Sequence, residues 1–446
     1  WSARENELRH RSPFLDQFFP LRVLHGQSAR GAGGRRVTAA WAANRVTRGN
    51  ALDNVCKAAG DADWAGRHRP ESGRSEIMNI CFVYEYYYPH IGGGEVLFQR
   101  LAEGIAARGH KVCVITSLLA DTQKNEVLNG VEIRRVPVPR FAERYWFTFL
   151  AYRETSAAAA RADVIQVGTY NGAPAAWLAA RRHRKPVVLF PFEVLGDLWF
   201  KVGLNPVSAL AFRIFEQAVL TLPYDAYSCI SQSTMKSLVR FRRARGKAFL
   251  AYPGIDYDLF DPSGTDARNR IRERLGVDER TFLCSYTGRP GVVKGVEFLL
   301  RAVPEIRKRI PEARLLLLLS KSPRAKYKEA EKLAAELGDD AVIFRDQVML
   351  DELPGYHQAS DCIIIPSLNE GFGFTCVEAC TMERPVVVTT AGSLPEVVSG
   401  RYVTIAPGDS HAIADGVDKV YGKEYTVTGL KRLTCNWPEA KHRKEF

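Results

Sequence analysis

Asn369-Glu-Gly-Phe-Gly-Phe-Thr-Cys-Val-Glu378 follows the apolar run Cys362-Ile-Ile-Ile-Pro366. The run reads as a buried strand, the glycines as a turn, and residues 375–382 as the helix that leaves it. A strand passing through a glycine-rich turn into a helix is how an α/β domain builds an anion site. First-turn N–H groups and the positive end of the helix dipole both face out of the turn. Glu370 and Glu378 add two carboxylates suited to hydroxyl-rich groups beside that anion. A sugar carried on a nucleoside diphosphate offers both kinds of group.

Outward from this stretch, strands and helices alternate on both sides. Strands are expected over 80–84, 112–116, 131–136, 164–167, 187–190 and 226–230, then over 282–286, 314–319, 341–344, 362–366 and 386–388. Helices are expected over 95–108, 296–307, 325–337 and 375–382. Such alternation argues for parallel sheets covered by helices. The chain has 446 residues, enough for two domains with full cores. The expected division is a leader over 1–77, a first Rossmann-like acceptor domain over 78–252, a second Rossmann-like donor domain over 253–424, and a tail over 425–446.

Hydrophobic residues make up 46% and charged residues 25%, as in a soluble globular chain. No stretch approaches the roughly 18 apolar residues of a membrane span. The nine cysteines form no paired zinc pattern, and Cys376 and Cys380 read as helix packing. A reducing, cytoplasmic compartment fits this usage, and the basic charge of the chain extends that expectation to the inner face of a membrane. The formal net charge of +12 is concentrated in the middle block. Residues 78–252 carry 22 Lys and Arg against 13 Asp and Glu, whereas residues 253–446 carry 27 against 29. The basic block calls for an anionic partner: a phospholipid surface, a lipid phosphate or an acidic glycan. No nucleic-acid reading motif accompanies it. Within the block, residues 140–161 mix aromatics with arginines, a pattern that fits either a domain helix packing its rings inward or a helix lying at a lipid interface. The leader is rich in Arg, Ala and Gly without apolar periodicity. It reads as translated sequence upstream of a start at Met78, or else as a disordered basic tail.

Four elements, in order, carry a family resemblance. They are Tyr88-Pro-His-Ile-Gly-Gly-Gly-Glu95, Tyr252-Pro-Gly-Ile-Asp256, Tyr286-Thr-Gly-Arg-Pro-Gly-Val-Val-Lys294-Gly295, and the Glu370 to Glu378 stretch. Together they resemble the retaining glycosyltransferases of family 4, the glycosyl transferases group 1, over residues 78 to 420. The resemblance implies the GT-B fold, in which two Rossmann-like domains with parallel sheets face a central cleft. It implies transfer of a sugar from a nucleoside diphosphate sugar without a metal or further cofactor, and the basic block makes the expected acceptor anionic or lipid-linked. Glu370 would hold donor-sugar hydroxyls, and backbone N–H groups from Gly371, Phe372, Gly373 and Phe374 would meet sugar or phosphate. Glu378 would bind ribose hydroxyls, and Gly92, Gly93 and Gly94 would let the first domain approach the diphosphate. Arg289 and Lys294 suit the chemistry directly. Negative charge grows on the leaving phosphate, and a guanidinium fork and a compact ammonium meet it there. Asp256-Tyr-Asp258 resembles a metal element of another fold, but at this position it reads as turn and cap chemistry. His110 and His90 read as structural or loop residues.

Three departures from the family pattern stand out. Phe192 falls where a His is usual, Asp346 where a Gly is usual, and the chain stops soon after Trp437. These keep two other readings open. One is a non-catalytic binder of a nucleotide sugar or glycan. The other is a nucleotide-sugar epimerase or hydrolase on the same fold.

Overall fold

The structure is a computed structural model that describes residues 77–431 except 91, 140–142, 169, 202–203 and 264–265. The expectations for the leader (Ile77 apart) and for the chain from 432 onward lie outside the described residues.

The first unit runs β1 (Asn79–Val83), α1 (Gly93–Ala106), β2 (Lys111–Ser117), β3 (Asn125–Leu128), β4 (Val131–Val136), α2 (Glu143–Leu150) and α3 (Tyr152–Ala159). It continues with β5 (Val164–Val167), α4 (Ala173–His183), β6 (Val187–Leu189), a 3-10 helix (Gly196–Phe200), α5 (Pro206–Leu220), β7 (Ala226–Cys229), α6 (Gln232–Leu238) and β8 (Ala248–Leu250). Its eight strands lie in the order β3-β4-β2-β1-β5-β6-β7-β8. The inner strands are buried on both faces, which is why they read as unbroken apolar runs.

The second unit holds α7 (Asp266–Leu275), β9 (Phe282–Gly288), α8 (Val296–Arg309), β10 (Ala313–Leu319), α9 (Arg324–Leu337), β11 (Val342–Asp346) and α10 (Leu353–Ala359). It ends with β12 (Cys362–Ile365), α11 (Phe374–Thr381), β13 (Val386–Thr389), α12 (Leu394–Val397), β14 (Arg401–Ile405), α13 (Ser410–Tyr421) and β15 (Thr426–Val427). The order here is β11-β10-β9-β12-β13-β14-β15.

The expectation of parallel sheets needs correcting at two edges. β3 pairs antiparallel with β4, and β15 pairs antiparallel with β14. Asn129 and Gly130 join β3 to β4 with φ of +50° and +80°. Those are the angles of a two-residue hairpin turn, and Asn-Gly is its usual sequence. The chain from 425 to 431 stays on the second unit, where Thr428 N donates to Gly400 O at 2.8 Å. The stretch 140–161 also differs from a single helix, because α2 ends at Leu150 and α3 begins at Tyr152.

In each sheet the strand order reverses once among the parallel strands, between β1 and β5 and between β9 and β12. Ligands bind beyond the carboxyl ends of strands at such reversals. The Gly92 loop follows β1, the Arg289–Lys294 loop follows β9, and the Glu370 turn follows β12. One apolar cluster spans both units, joining Phe98, Phe190 and Ile230 to Phe372, Cys376 and Leu394. The opposite face of the first sheet is covered by α2 to α6, which form a separate cluster.

Candidate functional site

Gly295 shapes the first loop of the site. Its φ is +71°, and a Cβ placed there would lie 2.0 Å from Pro366 O. Only a glycine lets the β9 loop close against the end of β12 at this point. Leu368 N donates to Val293 O at 2.7 Å and fastens the two loops together. Lys294 Nζ then reaches Glu370 Oε1 at 2.7 Å, and Ser367 Oγ donates to the same oxygen at 2.8 Å. Glu370 is held from behind as well, since Ser393 N and Oγ both donate to its carbonyl at 3.1 and 3.2 Å. Two residues singled out separately in the sequence thus meet as an ion pair.

Arg289 is exposed at the head of the same loop, where Tyr286 OH donates to its carbonyl at 3.2 Å. Its charge is felt by two carboxyl groups of the first unit, Glu95 and Glu193. Burial raises the Glu95 carboxyl. The His90 ring 3.4 Å away, its own backbone N–H and the Arg289 charge outweigh that and leave it below the usual range.

Glu193 lies on the loop that follows β6. Burial pushes its carboxyl up, and the nearby Glu370 charge adds to this. Lys294, Asn369 and Arg289 pull the other way without cancelling it. Asn369 Nδ2 donates to Glu193 Oε2 at 3.0 Å, a hydrogen bond between the two units.

The units also touch through backbone. A Cβ on Gly371 would lie 2.0 Å from Phe192 O. Glu396, on α12, accepts from Gln232 N at 2.8 Å, Ser233 N at 3.3 Å and Tyr252 OH at 2.5 Å. That carboxylate sits on the first N–H groups of α6, where an anion is favoured.

Phe372 is a core residue in this structure. Its buried ring packs on Phe374 at 5.0 Å, so only its backbone is available to a ligand. No side chain caps α11, whose N-cap is Gly373 at φ +90°. Glu378 is buried on α11, and burial raises its carboxyl to about 7. In the first unit the room beside Gly94 is taken by Phe192, since a Cβ on Gly94 would fall 2.6 Å from that ring. Phe192 packs edge-on against Phe98 at 5.0 Å, and a Cβ on Gly93 would lie 3.5 Å from the Phe374 ring of the other unit.

The remaining sequence candidates have structural partners. His110 Nδ1 accepts from Met78 N at 3.2 Å, and His90 lies 3.4 Å from Glu95. Asp256 Oδ1 accepts from Leu259 N at 3.0 Å, as a turn residue does. Asp346 accepts from Tyr327 OH at 2.6 Å and pairs with Lys321 at 2.7 Å. Among the described residues no group of three His, Cys, Asp or Glu side chains is placed to hold a metal ion.

Sequence reasoning missed Asn369, Ser367 and Glu396. It also missed Arg135, a buried guanidinium that donates to Tyr88 O and Gln123 O at 2.9 Å and so anchors the loop after β1. Asn369 was within reach, because it adjoins Glu370. Nothing local distinguishes Glu396 or Arg135.

Two family profiles match. "Glycosyl transferase 4-like domain" covers residues 92–254, and "Glycosyl transferases group 1" covers residues 281–423. A D-inositol 3-phosphate glycosyltransferase of Streptomyces avermitilis is 31% identical over 252 residues, 54% of this chain and 52% of that protein. The chain therefore spans about half the length of that curated relative. Sucrose-phosphate synthase from Thermosynechococcus elongatus superposes with a TM-score of 0.66 at 22% identity, over 77% of this chain and 90% of that one. Anabaena HepE, crystallised with UDP-glucose, superposes with a TM-score of 0.63 at 19% identity, over 78% and 90%. At these identities the two structures establish the shared fold.

Proposed function

Because this chain belongs to the group 1 glycosyl transferases of GT-B fold, we propose that it transfers a sugar from a nucleoside diphosphate sugar to an anionic or lipid-linked acceptor in the cleft between its sheets. The observation that carries this reading is the Lys294–Glu370 pair beside Arg289, at the strand-order reversal of the second sheet. The reaction breaks the bond between the anomeric carbon and the phosphate oxygen. The acceptor hydroxyl oxygen bonds to that carbon from the same face, its proton passes to the leaving phosphate oxygen, and the nucleoside diphosphate leaves. Arg289 and Lys294 are fixed cations for the charge that grows on the leaving phosphate. The uncapped first turn of α11 adds N–H donors for the same anion. Glu370 holds sugar hydroxyls, and Glu378 holds the ribose. Charge stabilisation by these groups needs no metal. The acceptor enters from the first unit, whose basic balance suits a phosphate-bearing or membrane-borne molecule.

Phe192 favours a second reading. Packed over Gly94, it occupies the position where the family places a His, which suits a protein that binds a donor without turning it over. Calorimetric titration of the full chain with UDP, GDP, ADP and their common sugar conjugates tests the first reading. Saturable binding of one nucleotide, lost in Lys294→Ala, is expected. Absence of binding by folded protein would overturn it, and binding without release of nucleotide in the presence of acceptors would favour the second reading.

A further inference from the structure

The short helix α12 is tied to both sides of the cleft. Leu394 and Val397 are buried and seat it in the apolar cluster that spans the two units. Just before it, Ser393 N and Oγ hold the Glu370 carbonyl. Gly392, at φ +56°, lies so close that a Cβ there would fall 2.2 Å from Glu370 O. The turn carrying Glu370 therefore moves with α12 as one packed body. Glu396 reaches across from that body. Gln232 N, Ser233 N and Tyr252 OH all donate to its carboxylate, and all three belong to the first unit. Gln232 Nε2 donates to Tyr252 OH at 3.4 Å and links two of the partners. Glu396, Gln232, Ser233 and Tyr252 are half-buried, so water can reach the contact and it can part and re-form.

The helix that Glu396 grips is itself placed at the reacting loops. Thr234 of α6 is buried, and its Oγ1 stands 3.4 Å from both Phe192 O and Gly371 O. One side chain of α6 thus touches the residue before Glu193 and the residue after Glu370. Between those two carboxyl groups runs the Asn369 to Glu193 hydrogen bond at 3.0 Å. We infer that Glu396 is a positioning residue for sugar transfer: it latches the second unit onto α6 and Tyr252, and so sets the Glu370 turn opposite the Glu193 loop. The inference rests on the functional reading above and adds to it the residue that brings its two halves into register.

This role has a signature that simple propping lacks. The groups given to the nucleotide are Arg289, Lys294, Glu378 and the first turn of α11, and all lie on the second unit. A nucleotide alone can bind there whether or not the latch is made. The sugar and its acceptor lie between the units, so transfer needs both loops in place. Loss of the latch therefore lowers turnover and spares nucleotide affinity. A residue that only propped the Glu370 turn would loosen Lys294, its ion-pair partner, and weaken both together.

The test compares the full chain with its variants Glu396→Ala, Glu396→Gln and Tyr252→Phe. Calorimetry with UDP, GDP and ADP reads nucleotide affinity, and small-angle scattering reads the radius of gyration. Turnover is read as nucleotide released from UDP-glucose, GDP-mannose and ADP-glucose, with an alkyl glucoside and a sugar phosphate as acceptors. Glu396→Ala should lower turnover about tenfold or more, keep nucleotide affinity within about threefold, and raise the radius of gyration. Glu396→Gln keeps one acceptor oxygen and should fall between the two. Tyr252→Phe drops one bond of the three and should lower turnover in the same direction, again at unchanged affinity. Should Glu396→Ala fail to fold, these two milder variants carry the same comparison. Wild-type turnover in the variants overturns the inference. So does an affinity that falls in step with turnover, or a radius that stays at the wild-type value. Wild type that binds no nucleotide, or binds it without turnover, removes the reading of transfer and the role of Glu396 with it. An active wild type matched by Glu396→Ala removes only that role.

Discussion

Two ion pairs sit at opposite ends of β12. Just before the strand, Asp361 Oδ2 meets Arg272 Nη1 at 3.1 Å and also accepts from Leu283 N at 2.8 Å. Arg272 is 2% exposed, and its other donors reach Ala359 O, Asp278 O and Thr281 O at 2.5 to 2.9 Å. Just past the strand, Glu370 meets Lys294 at 2.7 Å, and Lys294 is 29% exposed. The guanidinium is committed to three backbone carbonyls and the Asp361 carboxylate and works as a brace. The ammonium has three donors and stands open to solvent, so a phosphate can reach it. Position explains the difference. The amino ends of parallel strands hold the fold, whereas their carboxyl ends at the order reversal face the ligand.

Four measurements break or sharpen this contrast. Arg272→Ala should lower the unfolding free energy in a urea titration by about 3–5 kcal/mol, because it removes the buried partner of Asp361 and leaves the carbonyls of Asp278, Thr281 and Ala359 without their donor. Nucleotide affinity of the folded protein should stay as in wild type, and an unchanged midpoint would remove the brace. Lys294→Ala, Arg289→Ala and Glu370→Ala should each cut transfer by about 10²–10³-fold, with stability within about 1 kcal/mol of wild type. Near-normal turnover in all three would reject the site.

Glu378 offers a third case, a buried carboxyl raised by burial alone. Its folded value near 7 lies above the ordinary 4.5, so the native state holds a proton that the unfolded chain releases. Stability should therefore fall as pH rises from about 4.5 to 7, by on the order of 2–3 kcal/mol, and level off above. Glu378→Gln should flatten that slope in denaturant titrations at pH 5 and pH 8. A parallel slope in the variant would contradict the assignment. The smallest effect is expected at the bond between units. A double-mutant cycle on Glu193→Ala and Asn369→Ala should return a coupling of about 1–2 kcal/mol in donor affinity. A coupling of zero would mean the bond does not accompany binding.

Much of the fold was legible because parallel strands buried on both faces must be apolar throughout. Residues 362–366 and 314–319 could hardly be read otherwise. The glycine turns were legible for the same local reason, since Gly373 and Gly295 take backbone angles that other residues resist. The β3–β4 hairpin was missed although Asn129-Gly130 announces it, because the alternation of strand and helix elsewhere favoured a parallel reading. Arg135 and Arg272 escaped because an arginine in sequence is expected at the surface. The exposed stripe of Val207, Leu210 and Ile214 on α5 escaped because apolar residues lie on both sides of that helix, and sequence does not say which side is covered.

Sequence alone determined the order of strand, glycine turn and helix, the two-unit plan, and which residues carry charge near each turn. These depend on neighbours a few positions apart, within reach of periodicity and backbone preference. Only the tertiary structure decided which charges meet. Lys294 and Glu370 are 76 residues apart, and Glu193 and Asn369 are 176 apart. Their contacts exist because β9 lies beside β12 and because the loop after β6 faces the second unit. Strand order and domain closure are set by packing of whole layers, which no local pattern encodes.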